Sequence, residues 1–242
     1  MPKFFLDADR FGGSHIELGG EMAHHIVNVL RYRIGDEVHF CDGNCTDYVA
    51  RLISSEASRK STKVRFEILE ATSCQAEPSI FVRLFQSVIK WESLDFAIQK
   101  SVEVGVSEIV PTVTNRSIYK ISDVKKKIER MRRIAKSAAE QSRRGIVPKV
   151  AEPICFYDSL TKKNSVAFFA CCDEEKSLAS RFEKIDPKKA DLWIGPEGGF
   201  TEQEKKSLLH SDVKPYSLGP RVLRSETAAI VSISNLLMLS QR

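Results

Sequence analysis

The chain has 242 residues, of which 42% are hydrophobic and 29% charged, and its formal net charge is +5. That is the balance of a soluble globular protein with room for one large domain or two modest ones. No run approaches the roughly 20 apolar residues that span a bilayer. The opening Met1–Asp9, with Lys3, Asp7 and Asp9, lacks the apolar core of a secretory signal, so a cytoplasmic protein is expected. Six cysteines stand at 41, 45, 74, 155, 171 and 172. A chain this long and core-rich needs no disulfide framework, and reduced thiols are expected.

Residues 1–73 read as short strands and turns. Val38–Cys41, the Asp42-Gly43-Asn44 turn and Tyr48–Ile53 carry a hairpin signal. Val64–Leu69 alternates after the polar stretch Ser54–Lys63, and one helix is expected at about Met22–Leu30. The segment predicts a small β-barrel. Residues 73–79 make a linker, and the pattern then changes. Ile80–Val88 reads as a strand. Glu92–Val104 reads as a helix with Leu94, Ile98 and Val102 on one face, stopped by Gly105. Glu108–Val113 is the next strand, and Asp123–Gln141 one long helix with Val124, Ile128, Met131, Ala135 and Ala138 at helical spacing.

Val166–Cys172 and Asp191–Ile194 read as buried strands. Thr201 with Glu204 forms a capping box that opens a helix to about His210. Tyr216–Leu218 follows Pro215 as a short strand, and Thr227–Leu239 is a final apolar helix. Strands alternating with helices imply an α/β fold with a mostly parallel sheet covered on both faces. The division expected is 1–73 and 74–242.

The charge is unevenly placed. Residues 115–149 hold twelve Lys and Arg against three acids, so the rest of the chain is net acidic. Such a local basic field suits a polyanionic partner; the alternative is a solvated helix face.

Two loops carry the chemistry. Gly195-Pro196-Glu197-Gly198-Gly199 follows the strand ending at Ile194, and Gly219-Pro220-Arg221-Val222-Leu223-Arg224-Ser225-Glu226-Thr227 follows Leu218. Both lie beyond the carboxyl ends of parallel strands, where such sheets bind ligands. Glycine lets backbone groups reach a ligand; the plainer alternative is a pair of tight strand-to-helix turns. Neither loop is a phosphate cradle, since G-x-G-x-x-G and G-x-x-x-x-G-K-[ST] are both missing. An adenosine ligand without phosphate, such as S-adenosylmethionine, fits better. His15, His24, His25 and His39 lie near Cys41 and Cys45, but no second ligand pair at regular spacing follows, and no metal is expected.

The run Ile194–Phe200, followed by Leu218–Ala228, closely resembles the RsmE-like family of the SPOUT superfamily. Ile98–Val106, Arg116-Ser117, Ala138–Ser142 with Arg144 and Pro148, and His25-Ile26 with Val29–Arg31 extend the similarity over nearly the whole chain. The resemblance implies a PUA-like barrel over 1–73 that binds RNA. Over 74–242 it implies a methyltransferase domain with a deep trefoil knot, which periodicity alone does not propose. It also implies a homodimer, with the apolar helix Ala228–Leu239 a candidate interface. The activity implied is methyl transfer from S-adenosylmethionine to N3 of a uridine in 16S ribosomal RNA of the small subunit.

The cofactor contacts implied are Ile194, Gly195, Pro196, Glu197, Gly198, Gly199, Leu218, Gly219, Val222, Leu223, Thr227 and Ala228. Arg224 is expected at the uracil or an adjacent phosphate. Glu226 is expected in positioning or proton acceptance, with helix capping as its alternative. For Arg221 the alternative left open is pairing with either acid, Glu197 or Glu226. RNA contacts are expected from Arg31, Arg116, Arg130, Arg132, Arg133, Lys136, Arg143 and Arg144. The chain departs from the family at Lys90–Asp95, where Trp91 replaces a usual Gly, at Lys3 where Arg is common, and at Ser225 where Thr is frequent. Two other readings stay open: an RNA-binding or assembly factor without catalysis, and a relative that modifies tRNA.

Overall fold

A computed structural model describes residues 3–57, 62–163, 165–182 and 188–240. The chain forms two compact units, Met1–Glu77 with Ala139–Val147, and Pro78–Ala138 with Pro148–Arg242. Residues 58–61 of the expected polar stretch and the opening Met1-Pro2 lie outside the described residues.

The first unit is a curled five-stranded sheet in the order β1-β3-β4-β5-β2: β1 Lys3–Phe5, β2 His15–Gly19, β3 Glu37–Cys41, β4 Thr46–Ala57 and β5 Thr62–Ser73. Among the described residues of this unit, only β1 and β3 pair in parallel. The long hairpin of β4 and β5 shifts register at Val49/Ala50 and again at Leu52/Ser54. Bulges of this kind bend and twist a strand, and here the sheet curls around a core of Phe4, Ile16, Val38, Phe40, Leu52 and Phe66. The Asp42 carboxylate accepts from the amides of Asn44 (2.7 Å) and Thr46 (3.1 Å), and Gly43 takes φ 74°. The helix expected at Met22–Leu30 appears as α1 (Gly20–His24) running into a wider turn at His25–Val29.

Residues 139–147 complete this unit. The Lys3 ammonium, 4% exposed, donates to Asp47 at 2.7 Å and to the Arg143 carbonyl at 2.8 Å. Arg144 pairs with Glu77 at 2.6 Å, and the same carboxylate accepts from the amides of Gly145 (2.9 Å) and Ile146 (3.2 Å). A Cβ at Gly145 would sit 2.8 Å from Cys74 Cβ, so only glycine lets the segment approach this closely. The boundary expected at 73/74 thus falls four residues short of Glu77, and the returning segment was not foreseen.

The second unit is a parallel sheet in the order β12-β10-β11-β6-β7-β8, with β9 also on β7. Its strands are β6 Phe81–Ser87, β7 Glu108–Val113, β8 Lys149–Val150, β9 Ile154–Cys155, β10 Val166–Ala170, β11 Lys189–Ile194 and β12 Lys214–Tyr216. The helices are α2 Trp91–Val104, α3 Ile121–Lys125, α4 Ile128–Gln141, α5 Phe156–Thr161, α6 Leu178–Phe182, α7 Glu202–His210 and α8 Ser225–Leu239. On one side Phe85 stacks on Trp193 at 4.1 Å, with Phe156, Phe169, Phe200 and Leu208 around them. Elsewhere α8 packs on α2.

Three expectations are corrected. The long helix Asp123–Gln141 is two helices, broken at Lys126-Lys127, where the Lys127 amide bonds back to the Val124 carbonyl at 2.9 Å. Three successive lysines crowd like charge at this point, while Val124, Ile128, Met131, Ala135 and Ala138 are all buried as expected. The last strand is Lys214–Tyr216, not Tyr216–Leu218, and includes Pro215. Because β12 is an edge strand, the missing N–H of proline is tolerated. The strand Val166–Cys172 stops at Ala170, so Cys171 and Cys172 lie beyond it. No helix among the described residues is long and apolar enough to cross a membrane.

Candidate active site

Parallel pairing puts the carboxyl ends of β6, β10, β11 and β12 on one edge of the sheet. A cleft of about 480 Å³ opens there, the size of a small-molecule site. Both glycine turns line it. Ile194, Gly195, Pro196, Glu197 and Gly199 come from the first turn, and Leu218, Gly219, Val222, Leu223 and Ala228 from the second and the start of α8. The wall is mixed: apolar at Pro196, Phe200, Leu218 and Leu223, charged at Lys90, Glu197, Arg221, Arg224 and Glu226.

The first turn is held by backbone. The Gly199 amide donates to the Pro196 carbonyl at 2.8 Å with Gly199 at φ 68°. A Cβ at Gly195 would come 3.3 Å from the Phe200 amide nitrogen, so a larger residue would push this turn open. Behind it, the Thr201–Glu204 capping box is present, with Thr201 Oγ1 accepting from the Glu204 amide at 3.2 Å and Glu204 accepting from the Thr201 amide at 2.8 Å. Glu204 is fully buried because its other oxygen accepts from the Asn115 amide at 2.8 Å.

A short relay joins the two turns. Gln86, at the end of β6, is fully buried, and its Nε2 donates to Ser225 Oγ at 3.0 Å and to the Ser87 carbonyl at 3.0 Å. Ser225 Oγ donates onward to the Gly195 carbonyl at 2.6 Å. Gln86 Oε1 has no hydrogen-bond partner among the described residues. Ser225 is the first residue of α8, so the turn at 195 is tied to the start of the last helix.

The two expected catalytic residues face the same space differently. Arg224 is the exposed N-cap of α8 and keeps its guanidinium free of any carboxylate among the described residues. Glu226 is 9% exposed in the helix's first turn, where its carboxylate meets the helix N-terminus and accepts from Ser93 Oγ at 3.5 Å. Of the alternatives open to Arg221, pairing with Glu197 or with Glu226, neither is seen among the described residues. Glu197 instead accepts from the Lys90 amide at 3.4 Å, and Arg221 is exposed at the cleft.

Two expected cofactor residues do not line the cleft. Gly198 turns toward Arg116, whose guanidinium donates to the Gly198 carbonyl, and Thr227 is a half-buried helix residue beside the wall. The pattern missed Lys90, Ser93, Cys171, Cys172 and Phe200, which line the cleft, and Gln86 behind it. Lys90, Cys171 and Cys172 share one signal, position just beyond a strand end.

The expected RNA-binding residues divide. Arg31 is exposed at φ 62°, and Arg133 and Lys136 are exposed on α4. Arg130 binds Asp95 at 2.7 Å, and Arg132 binds Glu152 at 2.8 Å and also Glu129, yet both remain open to solvent. Arg143 is exposed at φ 59°. Arg144 is the correction. It is 3% exposed and locked to Glu77, so it holds the first unit together and has no face to offer a phosphate. Lys3 is likewise an internal strut. Among the described residues no group of three or more His, Cys, Asp or Glu is placed to hold a metal.

Comparison with known proteins agrees with this geometry. Residues 76–237 match the model of an RNA methyltransferase domain, and residues 18–66 that of an RNA methyltransferase PUA domain. The chain is 35% identical over 225 residues to the ribosomal RNA small subunit methyltransferase E of Bacillus subtilis, covering 89% of this chain and 86% of that one. It superposes with a TM-score of 0.88 on the enzyme of that name from Neisseria gonorrhoeae bound to S-adenosylmethionine, at 31% identity over 99% of this chain and 98% of that one. A Legionella pneumophila methyltransferase with the same cofactor bound gives a TM-score of 0.86 at 28% identity, over 98% and 96% of the two chains. With a PUA domain followed by a parallel α/β methyltransferase domain, the chain belongs to the ribosomal RNA small subunit methyltransferase E family.

Proposed function

We propose that this protein transfers a methyl group from S-adenosylmethionine to N3 of a uridine in 16S ribosomal RNA of the small subunit. The observation that carries the reading is the cleft itself: two glycine turns, joined by the Ser225–Gly195 bond, meet at strand ends beside an unpaired arginine and a nearly buried glutamate. The residues fit the cofactor. A Cβ at Gly195 would crowd the Phe200 amide at 3.3 Å, so glycine keeps this turn tight at the cleft, and the wall offers apolar surface for an adenine and carboxylates for an amino group. The cofactor supplies an electrophilic methyl group when bound.

The chain's own residues have three tasks. Ile194, Gly195 and Gly199 with Leu218, Gly219 and Leu223 hold and orient the ligand and keep water from it. Arg224 places its guanidinium where negative charge develops on the uracil carbonyls as N3 loses its proton. Glu226 orients that arrangement or accepts the proton. The target base enters unpaired or extruded from its stack. Arg130, Arg133 and Lys136 on α4 contact RNA phosphates, and exposed Arg31 of the first unit is a separate RNA contact.

Two further features belong to this reading. A trefoil knot is inferred for residues 78–240, supported by α8 returning from edge strand β12 to pack on α2 and reach β6 and β11. A homodimer is inferred from Phe96 on α2 and Met238 on α8, which are 46% and 68% exposed on two packed helices. The test of function is mass-spectrometric mapping of small-subunit RNA from cells with and without the protein, paired with transfer of labelled methyl by the purified chain. A Arg224→Ala variant should bind cofactor and lose at least ten-fold in turnover. Unchanged turnover removes Arg224 from the mechanism, and an unmodified RNA removes the function.

A further inference from the structure

Next to the wall residue Lys90 begins an aromatic stack that does not line the cleft. Trp91 opens α2 directly after the wall residue Lys90, and Tyr119 lies in the loop that follows β7. The rings stack with centroids 4.0 Å apart at 25°, and Lys127 Nζ lies 4.7 Å from the Trp91 centroid. Both residues are only half-buried. Lys127 is the cation seen at the rings, and Lys90, Arg116, Lys120, Lys125 and Lys126, near them in sequence, are all exposed.

The loop that carries Tyr119 is braced from several sides. Arg116 is tied to the Gly198 carbonyl, and the Asn115 amide to buried Glu204 at 2.8 Å. The Thr114 amide donates to Ser117 Oγ at 3.1 Å, and the Lys120 amide to Asp123 at 3.1 Å. Tyr119 is therefore held in place beside the first glycine turn before any ligand arrives. The pair keeps exposed surface with the Lys127 ammonium against it, and Ile118, next to Tyr119 in sequence, is 61% exposed.

We propose that Trp91, backed by Tyr119, forms a stacking subsite for an unpaired nucleobase of the substrate strand, next to the base that enters the cleft, with the base taking the outer Trp91 face from the flexible Lys127 side chain. Rings read the π-face of any base, and the surrounding cations hold the backbone that carries it. The proposal rests on RNA being the substrate. It assigns Trp91 to strand binding and leaves the cofactor site untouched.

The chain has two tryptophans, and Trp193 is fully buried, so changes in emission on adding a strand report Trp91. Oligouridylate of twelve nucleotides should quench that emission saturably, whereas an abasic ribose-phosphate oligomer of equal length should not. Trp91→Ala, read by filter binding of labelled oligouridylate because it removes the emitting ring, should weaken binding on the order of ten-fold without altering the salt slope, and should raise KM for small-subunit RNA more than it lowers kcat. Trp91→Phe should restore most of the affinity, and S-adenosylmethionine affinity should be the same in all variants. Tyr119→Leu, which keeps Trp91, gives an independent reading should Trp91→Ala fold poorly. Wild-type affinity in the variants while methyl transfer proceeds overturns the subsite and spares the functional reading; equal quenching by the abasic oligomer does the same. A wild-type protein that neither binds nor methylates small-subunit RNA overturns both.

Discussion

The Ser225 hydroxyl is one group on which two loops depend, and removing it has a cost that can be worked out. In Ser225→Ala the Gly195 carbonyl loses a 2.6 Å donor, and one N–H of fully buried Gln86 loses its acceptor, while the other still meets Ser87. Orphaning a buried polar group costs about 1–3 kcal/mol. Ser225 is not the N-cap of α8, so no capping loss is added. A total of about 2 kcal/mol is expected, which lowers the melting temperature by roughly 4–8 °C for a chain of this size. If about 1.4 kcal/mol of it is felt by the loosened turn, cofactor binding weakens about ten-fold. Calorimetric titration with S-adenosylmethionine and thermal unfolding of the same samples measure both. Ser225→Thr keeps the hydroxyl and should return both values to within error of wild type. An alanine variant with unchanged affinity and melting temperature, or a threonine variant as weak as alanine, refutes the relay.

Other outcomes follow from groups already described. Lys3→Met strands Asp47 and the Arg143 carbonyl, and should cost the first unit about 2–4 kcal/mol, below the full penalty for a buried pair because Asp47 is partly solvated; denaturant unfolding followed by a first-unit probe measures it. Burial pushes the Glu77 carboxyl up, but the Arg144 guanidinium and the amides of Gly145 and Ile146 outweigh it and hold it below the ordinary carboxylate value. A carboxyl with a lowered folded pKa stabilises fully above its unfolded value and loses that contribution as pH falls through the folded one. Wild-type melting temperatures should therefore drop below about pH 4.5 more steeply than those of Glu77→Gln. Burial raises the Cys41 thiol to about 12, so at pH 8 iodoacetamide should spare it and label exposed Cys155 and Cys172. S-adenosylmethionine should slow labelling of Cys172, which lines the cleft, and not of Cys155.

Local chemistry was readable where neighbours in sequence are neighbours in space. Leu94, Ile98 and Val102 lie one helical turn apart and are buried together, and Thr201 with Glu204 closes its own capping box. The glycine turns were readable because glycine just after a strand marks a tight turn, and Gly199 and Gly219 do take positive φ. The rest depends on partners far along the chain. Arg144 reads as one more cation of a basic run until Glu77, 67 residues earlier, is found beside it. Lys3 is another surface charge until Asp47 and Arg143 enclose it. Gln86 sits in an apolar strand and gains meaning only from Ser225, 139 residues later. The break at Lys126-Lys127 was hidden by an apolar stripe that runs through it without interruption.

The stretch from Ala139 to Val147 has a consequence for biosynthesis. Those nine residues provide the Arg143 carbonyl that receives Lys3, the partner of Glu77, and the glycine that fits against Cys74. A nascent polypeptide stopped after residue 77 lacks all three. Its first module stays unfinished until some seventy more residues have left the ribosome, during which the opening strands of the next module are already being made. Any attempt to express the amino-terminal module alone should therefore graft this peptide back through a short linker rather than cut the gene at a single point.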